Sequence, residues 1–324
     1  MSPIDEDATA ELRREEFHVS RFFLPPPPPA QVEFGAMSHP GKVRPNNEDH
    51  FLVLRRRRSL GVILTNLPEE QPAPVADQDA YIMAVADGMG GAARGEVASS
   101  QVLRTGVDLM LHAINWTMMY SEREIREAAE KVRMFYRILN HILLERARVE
   151  AGLAGMGTTL TATFTAGLDA FVLHAGDSRA YLFRAGTLEQ LTHDHTLAQS
   201  LVESGRIAPG SSEARRTSHI LTNYLGGRGG GGDADVHHLH LADGDRLLLC
   251  TDGLTDMVDD EEIARTLDRH PDAEGACRVL VERALERGGR DNVTAVLGRY
   301  HFPPTPERSS GLAQSLVRFK DDPE

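Results

Sequence analysis

Two apolar runs in this chain stop on the same pair of residues. AYIMAVA ends in Asp87-Gly88, and RLLLCT ends in Asp252-Gly253. Three more strand-like runs carry an acid at one end. Asp177 sits in a tight turn between VLHAG and RAYLF, Asp291 precedes NVTAVL, and Glu48-Asp49 precede HFLV. Short runs of this kind, rich in Val, Leu, Thr and aromatics and separated by turn residues, read as strands. Stacked in a sandwich, they would bring several acidic ends to one rim. Clustered carboxylates repel and raise one another's pKa unless a cation intervenes. A set of carboxylates, carbonyls and waters, without matched Cys or His spacing, suits a hard ion such as Mg²⁺ or Mn²⁺. Gly88, with no side chain, is expected to let its own carbonyl or a water approach that ion. Each acid alone reads equally as a turn residue or helix cap. The recurrence of an apolar strand followed by Asp-Gly is what favours a shared site.

A second reading competes at the same place. Gly88-Met89-Gly90-Gly91-Ala92-Ala93 fits the glycine pattern of a dinucleotide fold, and Asp108 stands at the distance of the ribose-binding acid. Asp87 would repel a pyrophosphate. Asp108 also falls inside a helical pattern (Leu103, Val107, Met110, Leu111, Ile114) rather than after a second parallel strand. The metal reading is preferred. Two hard cations a few ångströms apart activate water and clamp the oxygens of an in-line displacement at phosphorus. Such a site also needs a cationic fork for the phosphate, and Arg44 lies close to Glu48 in sequence.

The 324 residues suffice for one large domain or two ordinary ones, and an apolar content of 41% suits a globular core. A net charge of −13 disfavours non-specific nucleic-acid binding. Two cysteines exclude a disulfide framework and point to a reducing, cytoplasmic setting. No apolar run reaches the roughly 18 residues of a membrane span, and the acidic N-terminus does not resemble a signal peptide. The chain is therefore read without membrane or nucleic-acid partners, and as a monomer.

Residues 1–30 read as an appendage in which PPPPP forms a stiff extended spacer. The domain is expected over 31–300, and 301–324 as a loosely held tail. Residues 55–79, opening with RRRR, read as a surface hairpin excursion whose arginines are solvated or attract an acidic partner. Residues 122–149 show a long amphipathic helical period, and 259–287 hold two more helical patterns. THDHTLAQSLVESGRI reads as a loop plus a short helix, and GGRGGGGDAD as a flexible turn. Strand groups with two helices early and two late predict an α+β fold, a sandwich of two antiparallel sheets with helices on both outer faces.

Eight segments then carry a resemblance: SHPGKVRPNNEDHF, VADGMGGAARGEVAS, GMGTTLTATF, HAGDSRAYLFRAG, LTHDHTLAQSLVESGRI, ILTNYLGG, LLLCTDGLTDMV and GGRDNVTAVL. In this order they resemble the bacterial form of the protein phosphatase 2C (PP2C) family of metal-dependent Ser/Thr protein phosphatases, from about Gly35 to Tyr300. The resemblance implies a four-layer αββα sandwich and two Mn²⁺ or Mg²⁺ ions, with a weaker third. It implies that Asp87 bridges the two ions, that Asp252 and Asp291 complete the first site, and that the Gly88 carbonyl and Glu48, through water, serve the second. Asp177 and Asp256 match the acids of the third. Arg44 would bind the substrate phosphate, Asp49 would orient water or Arg44, and Thr192 to about Ser218 would form a flap beside the site. An activated water would attack phosphorus in line without a phospho-enzyme, on phosphorylated protein substrates made by a Ser/Thr kinase.

One position departs from the pattern. Many eukaryotic members carry a histidine where this chain has Met89, so the leaving-group proton must come from a metal-bound water or elsewhere, with His39 one choice by sequence nearness. His193 and His195 read as structuring the flap entry, and Cys250 as core packing. VHHLH places His238 and His240 on one strand face, but with no third ligand in view it reads as a partly exposed strand. Two functional alternatives stay open: a binding module that keeps the fold without catalysis, and a phosphohydrolase acting on small molecules. Retention of Arg44, Asp87, Asp252 and Asp291 argues against the first.

Overall fold

The computed structural model describes residues 30–60, 76–90, 93–112, 122–227 and 232–302. The proline spacer, the centre of the 55–79 excursion and the tail beyond Phe302 lie outside the described residues. One sheet runs in the order β1 (Gln31–His39), β12 (Val293–His301), β11 (Arg246–Cys250), β7 (Arg179–Arg184) and β8 (Thr187–Gln190). The other runs β10 (Asp235–His240), β6 (Asp169–Ala175), β5 (Leu160–Ala166) and β3 (Ala76–Met89). There β2 (Asp49–Leu60) pairs with β3, and the short β4 (Gly157–Thr158) and β9 (Leu225–Gly226) continue from the end of β3. All these pairings are antiparallel.

The strand runs are continuously apolar because both faces of each sheet are covered. Successive side chains point to opposite faces. Tyr81, Met83 and Val85 of β3 therefore pack between the sheets, against Leu182, Leu247, Leu249, Val296 and Tyr300. Ala84 and Ala86 turn the other way, onto Ala98 and Val102 of α1 (Ala93–His112) and Val132, Tyr136 and Leu139 of α2 (Glu122–Val149). On the far side, Tyr181, Leu248, Cys250 and Leu297 pack against the helices of the other outer layer. These are α6 (Asp260–Arg269) and α7 (Ala273–Glu286), which supply Ile263, Leu267, Leu280 and Val281. Three apolar layers between four structural layers give the expected αββα sandwich. Cys250 belongs to that core, where burial pushes its thiol up to about 12.

Arg55 to Arg58 form one arm of the expected surface hairpin, with Arg55, Arg56 and Arg57 exposed. They continue β2 in register with Tyr81 to Gln78, and Arg57 forks onto Asp79 at 2.9 and 3.2 Å. Between β8 and β9 the chain forms α3 (Leu197–Glu203) and α4 (Ser212–Thr217), the second of which lies in a stretch with no apolar stripe.

Candidate metal centre

Antiparallel order explains how the acids meet. Strand β2 begins at Asp49 where β3 is ending, so Asp49 and Asp87 are register partners. Strand β6 ends just before Asp177 and β7 begins just after it. Strand β11 ends two residues before Asp252, which opens the single-turn helix α5 (Asp252–Thr255), and β12 begins two residues after Asp291. All these strand ends fall on one rim. There Arg44, Glu48, Asp87, Gly88, Asp177, Asp252 and Asp291 line a cleft of about 510 Å³ together with Met89, Thr159, His219, Tyr224 and Asn292.

The carboxylates sense one another. Burial raises the pKa of Asp87 well above the carboxylate range, and Asp49, Asp252, Asp177 and Asp291 raise it further. Asp252 is raised in the same way, by burial and then by Asp177, Asp256, Asp291 and Asp49. Asp177 is pushed up to about 7 by burial and by Asp194. Glu48 is raised by burial, with Arg44 opposing. Asp256 is exposed and raised by desolvation; it neighbours Asp177 and Asp252 electrostatically without lining the cleft.

The residues present fit a pair of hard cations. Asp252 Oδ1 and Asp49 Oδ1 are buried without any hydrogen-bond partner, a costly arrangement that an ion at the rim would relieve. The donor set is all oxygen. A cradle also exists: a Cβ on Gly95 of α1 would collide with Glu48 Oε2 and come within 2.6 Å of the Gly88 carbonyl oxygen. Gly95 therefore keeps open the place where those two oxygens converge. A Cβ at Gly88 would itself fall on the Gly95 backbone. Close approach of α1 to β3 excludes a side chain at Gly88.

Neutral side chains hold the acids in place. Asp87 N donates to Thr159 Oγ1 at 2.9 Å, and Thr159 N and Thr158 Oγ1 each donate to Asp87 O at 2.9 Å. Glu48 N donates to Asn292 Oδ1 at 2.8 Å, while Asn292 Nδ2 donates to Pro40 O at 2.9 Å and Asn46 O at 2.8 Å. Asn292 thus pins the 40–48 loop that carries Arg44. Arg44 Nη2 donates to Asp291 Oδ2 at 2.5 Å. Arg44, one of the two groups Asp49 was expected to orient, pairs with Asp291 and not with Asp49. Asp49 Oδ2 accepts from Thr251 Oγ1 at 2.8 Å and Thr294 Oγ1 at 2.7 Å, tying β2 to the other sheet beneath the rim.

The flap is anchored by its histidines. Gly176 N donates to His195 Nδ1 at 3.2 Å, His195 Nε2 lies 3.1 Å from Asp235 Oδ2, and the His193 carbonyl lies 3.0 Å from His174 Nε2. His39 is not on the cleft wall, and its Nδ1 accepts from Gly41 N at 3.0 Å. His219, one residue beyond the expected flap, does line the cleft. Thr159, Asn292, Gly95 and His219 are the site residues that sequence reasoning missed. Among them Asn292, directly after Asp291 in RDNVT, had the clearest signal. The dinucleotide reading finds no support, since β3 has antiparallel neighbours on both sides and Asp108 lies within α1.

The profile of the protein phosphatase 2C family matches residues 72–288. The chain is 35% identical over 266 residues to the serine/threonine protein phosphatase PstP of Mycobacterium tuberculosis, covering 82% of this chain and 44% of that protein. It spans less than half of PstP's length. It is 32% identical over 257 residues to the serine/threonine phosphatase stp of Listeria monocytogenes, covering 79% of this chain and 91% of that one. The crystal structure of the catalytic domain of PstP in complex with two manganese ions superposes with a TM-score of 0.64 at 34% identity, covering 84% of this chain and 99% of that one. With its strand ends, acidic rim and family match in agreement, the chain belongs to the protein phosphatase 2C family.

Proposed function

We propose that this protein is a Mn²⁺- or Mg²⁺-dependent protein Ser/Thr phosphatase. The observation that carries the reading is the pair of half-buried, desolvated carboxylates, Asp87 and Asp252, at a cleft whose mouth holds Arg44. Asp87, Asp252 and Asp291 would hold one ion, Asp87, the Gly88 carbonyl and Glu48 the second, and Asp177 with Asp256 a weaker third. Bound there, the ions supply an activated water and neutralise charge developing at phosphorus.

The chain's own groups do the rest. Arg44 turns from Asp291 to grip two phosphoryl oxygens, the fork geometry for which guanidinium is suited. Asp49, Thr251 and Thr294 keep the sheets in register under the rim, and Asn292 keeps Arg44 at its mouth. The Thr159 hydroxyl is poorly placed as a nucleophile, being already engaged by Asp87 N and by Ser178 Oγ at 2.9 Å. The reading is direct attack by water, with no phospho-enzyme. The leaving Ser or Thr oxygen needs a proton. Besides the carboxylates, the ionisable side chains on the described cleft wall are Arg44, His219 and Tyr224. Imidazole is the one of these three groups that exchanges a proton readily near neutral pH, so His219 is assigned as the donor.

Residues 31–300 form the catalytic unit, with 1–30 and 301–324 as appendages. It acts as a monomer in the cytoplasm, on phosphoproteins made by a Ser/Thr kinase and with no nucleic-acid or membrane partner. Among the described residues no helix is long and apolar enough to cross a membrane. The test is hydrolysis of a phosphothreonine peptide by the purified protein with Mn²⁺, with EDTA, and in Asp252→Asn. Turnover that requires the ion and is lost in the variant supports the reading. A folded, metal-saturated wild type with no turnover overturns it in favour of a binding module.

A further inference from the structure

Strand β10 is the edge of its sheet, and its sequence DVHHLH sets His238 and His240 two residues apart, on one face. It is the face of Val236, which packs in the layer under α1 and α2. In the pairing with β6, His240 stands directly opposite Asp169 and His238 opposite Phe171. An opposed pair and its diagonal neighbour lie within side-chain reach. Asp169 Oδ1 is 2.8 Å from His238 Nε2 and 3.0 Å from His240 Nδ1. The three potential ligand atoms lie within 4.8 Å of one another. The third ligand that the sequence does not reveal is therefore a residue 69 positions upstream of His238, delivered by strand register.

We propose that Asp169, His238 and His240 form a further metal site for a borderline divalent transition ion of the Zn²⁺ class. The donor set separates it from the catalytic rim. Two imidazoles and one carboxylate suit zinc, whereas the rim's oxygens suit magnesium or manganese. Two of the three ligand–ligand separations are close to what coordination requires, and the third, between the two imidazole nitrogens, lies within 4.8 Å. In a tetrahedron with bonds of about 2.0–2.1 Å the ligand atoms stand about 3.3 Å apart. The two separations from Asp169 Oδ1 need to open by only a few tenths of an ångström. His238 is oriented by the ring of Phe171, centroid to centroid 4.8 Å. His240 is 69% exposed, so an entering ion has a path and a fourth position open to water.

The site lies at the opposite end of β6 from the catalytic rim, because Asp169 opens that strand and Asp177 follows its other end. Seven or so residue steps put the two about 20 Å apart. An ion here would cross-link the edge strand to its neighbour rather than take part in hydrolysis. The same edge strand begins with Asp235, the partner of His195 at the flap entry. Clamping one end of β10 would thus steady the strand on which the flap's anchor rests.

A hydrogen-bonded trio without an ion is the alternative, and a binding experiment separates the two. The full chain, held in saturating Mg²⁺, is titrated with ZnCl₂ by calorimetry beside His240→Ala, Asp169→Asn and Asp252→Asn, each checked for fold by circular dichroism. His240 is exposed enough that its truncation leaves packing untouched. The wild type should bind one more Zn²⁺ per chain than His240→Ala, or bind it on the order of 100-fold more tightly. Asp169→Asn should show the same deficit, and Asp252→Asn, altered only at the rim, should retain the extra ion. Indistinguishable isotherms for wild type and His240→Ala, or no Zn²⁺ bound by either, would overturn the proposal. The readout is binding, so it stands or falls separately from phosphatase activity.

Discussion

Arg44 Nη2 and Asp291 Oδ2 meet at 2.5 Å across 247 residues of sequence, joining the one cation on the described cleft wall to a carboxylate assigned to an ion. The contact raises the Arg44 pKa, and Asp87 and Asp252 add to it from further away. An ion held by Asp291 would compete for this carboxylate and leave the guanidinium free to serve an incoming phosphate. Both ends of the pair are open to solvent, at 56% and 35% exposure, so the bond itself adds little to stability. Its value is in poising Arg44 at the mouth.

Arg44→Ala should therefore leave the melting temperature nearly unchanged while lowering kcat/KM on a phosphothreonine peptide by roughly 100-fold, the scale of a charge-assisted phosphate contact. Arg44→Lys should recover only part of this, because ammonium cannot fork. Inhibition by inorganic phosphate gives an independent check. An unchanged inhibition constant in Arg44→Ala would remove the residue from the phosphate site.

The acidic rim predicts an unusual pH dependence of stability. Burial, with hydrogen bonds from Thr294 and Thr251 opposing, leaves Asp49 at about 7, and Asp177 also stands at about 7, against an ordinary 3.8. The folded state then holds protons that the unfolded chain has released. With EDTA, stability should fall as pH rises from about 4 to about 7, by at most about 1.4 kcal/mol per pH unit for each such group. Saturating Mn²⁺ should abolish or reverse the slope, since binding requires deprotonated ligands. Asp252→Asn removes a carboxyl whose ionised form the desolvated rim disfavours, so at neutral pH it should melt higher than wild type in EDTA and gain less from Mn²⁺. Parallel melting curves with and without metal across this range would contradict the account.

Some of this was legible in the sequence, for physical reasons that differ by element. The β3 and β11 runs are fully apolar because both faces are covered, so they stand out without any alternation. The 122–149 helix shows its stripe because one side packs on Leu160 and Leu173 while the other meets water. The acids at strand ends could be recognised as a set because antiparallel order sends those ends to one rim. What register decides could not be read. Nothing near VHHLH names Asp169, and nothing near Glu48 names Gly95. Helix α4, SEARRT, is short and polar, and its sole local signal is the Ser211 cap, whose Oγ accepts from Ala214 N at 3.2 Å. The RRRR segment was legible as part of a surface hairpin, but how far its pairing runs was not, because the twelve-residue register with β3 sets that.

Gly95 offers a test of the cradle. Gly95→Ala adds a methyl where Glu48 Oε2 and the Gly88 carbonyl oxygen converge. The helix or the carboxylate must shift, at a cost of about 1–3 kcal/mol for overpacking. If Glu48 and Gly88 serve the second ion, as proposed, Mn²⁺ affinity should fall at least about tenfold. Calorimetric titration of Mn²⁺ reads this directly. Wild-type affinity at both sites in a folded Gly95→Ala protein would show that the glycine serves only helix packing.

The assignment of His219 is tested by the leaving group. A threonine alkoxide is a poor leaving group and needs its proton during bond cleavage, whereas an aryl oxide such as p-nitrophenolate departs without help. General acid catalysis contributes roughly 100- to 10,000-fold where it operates. His219→Gln keeps a polar side chain at an exposed position on the cleft wall, so folding and ion binding should be preserved. Turnover of the phosphothreonine peptide should fall by roughly 100-fold. Turnover of p-nitrophenyl phosphate should change little. An equal loss on both substrates would mean that His219 shapes the cleft instead of donating the proton. No loss on either would return the proton to the solvent at the rim, consistent with Met89 standing where other members of the family place a histidine.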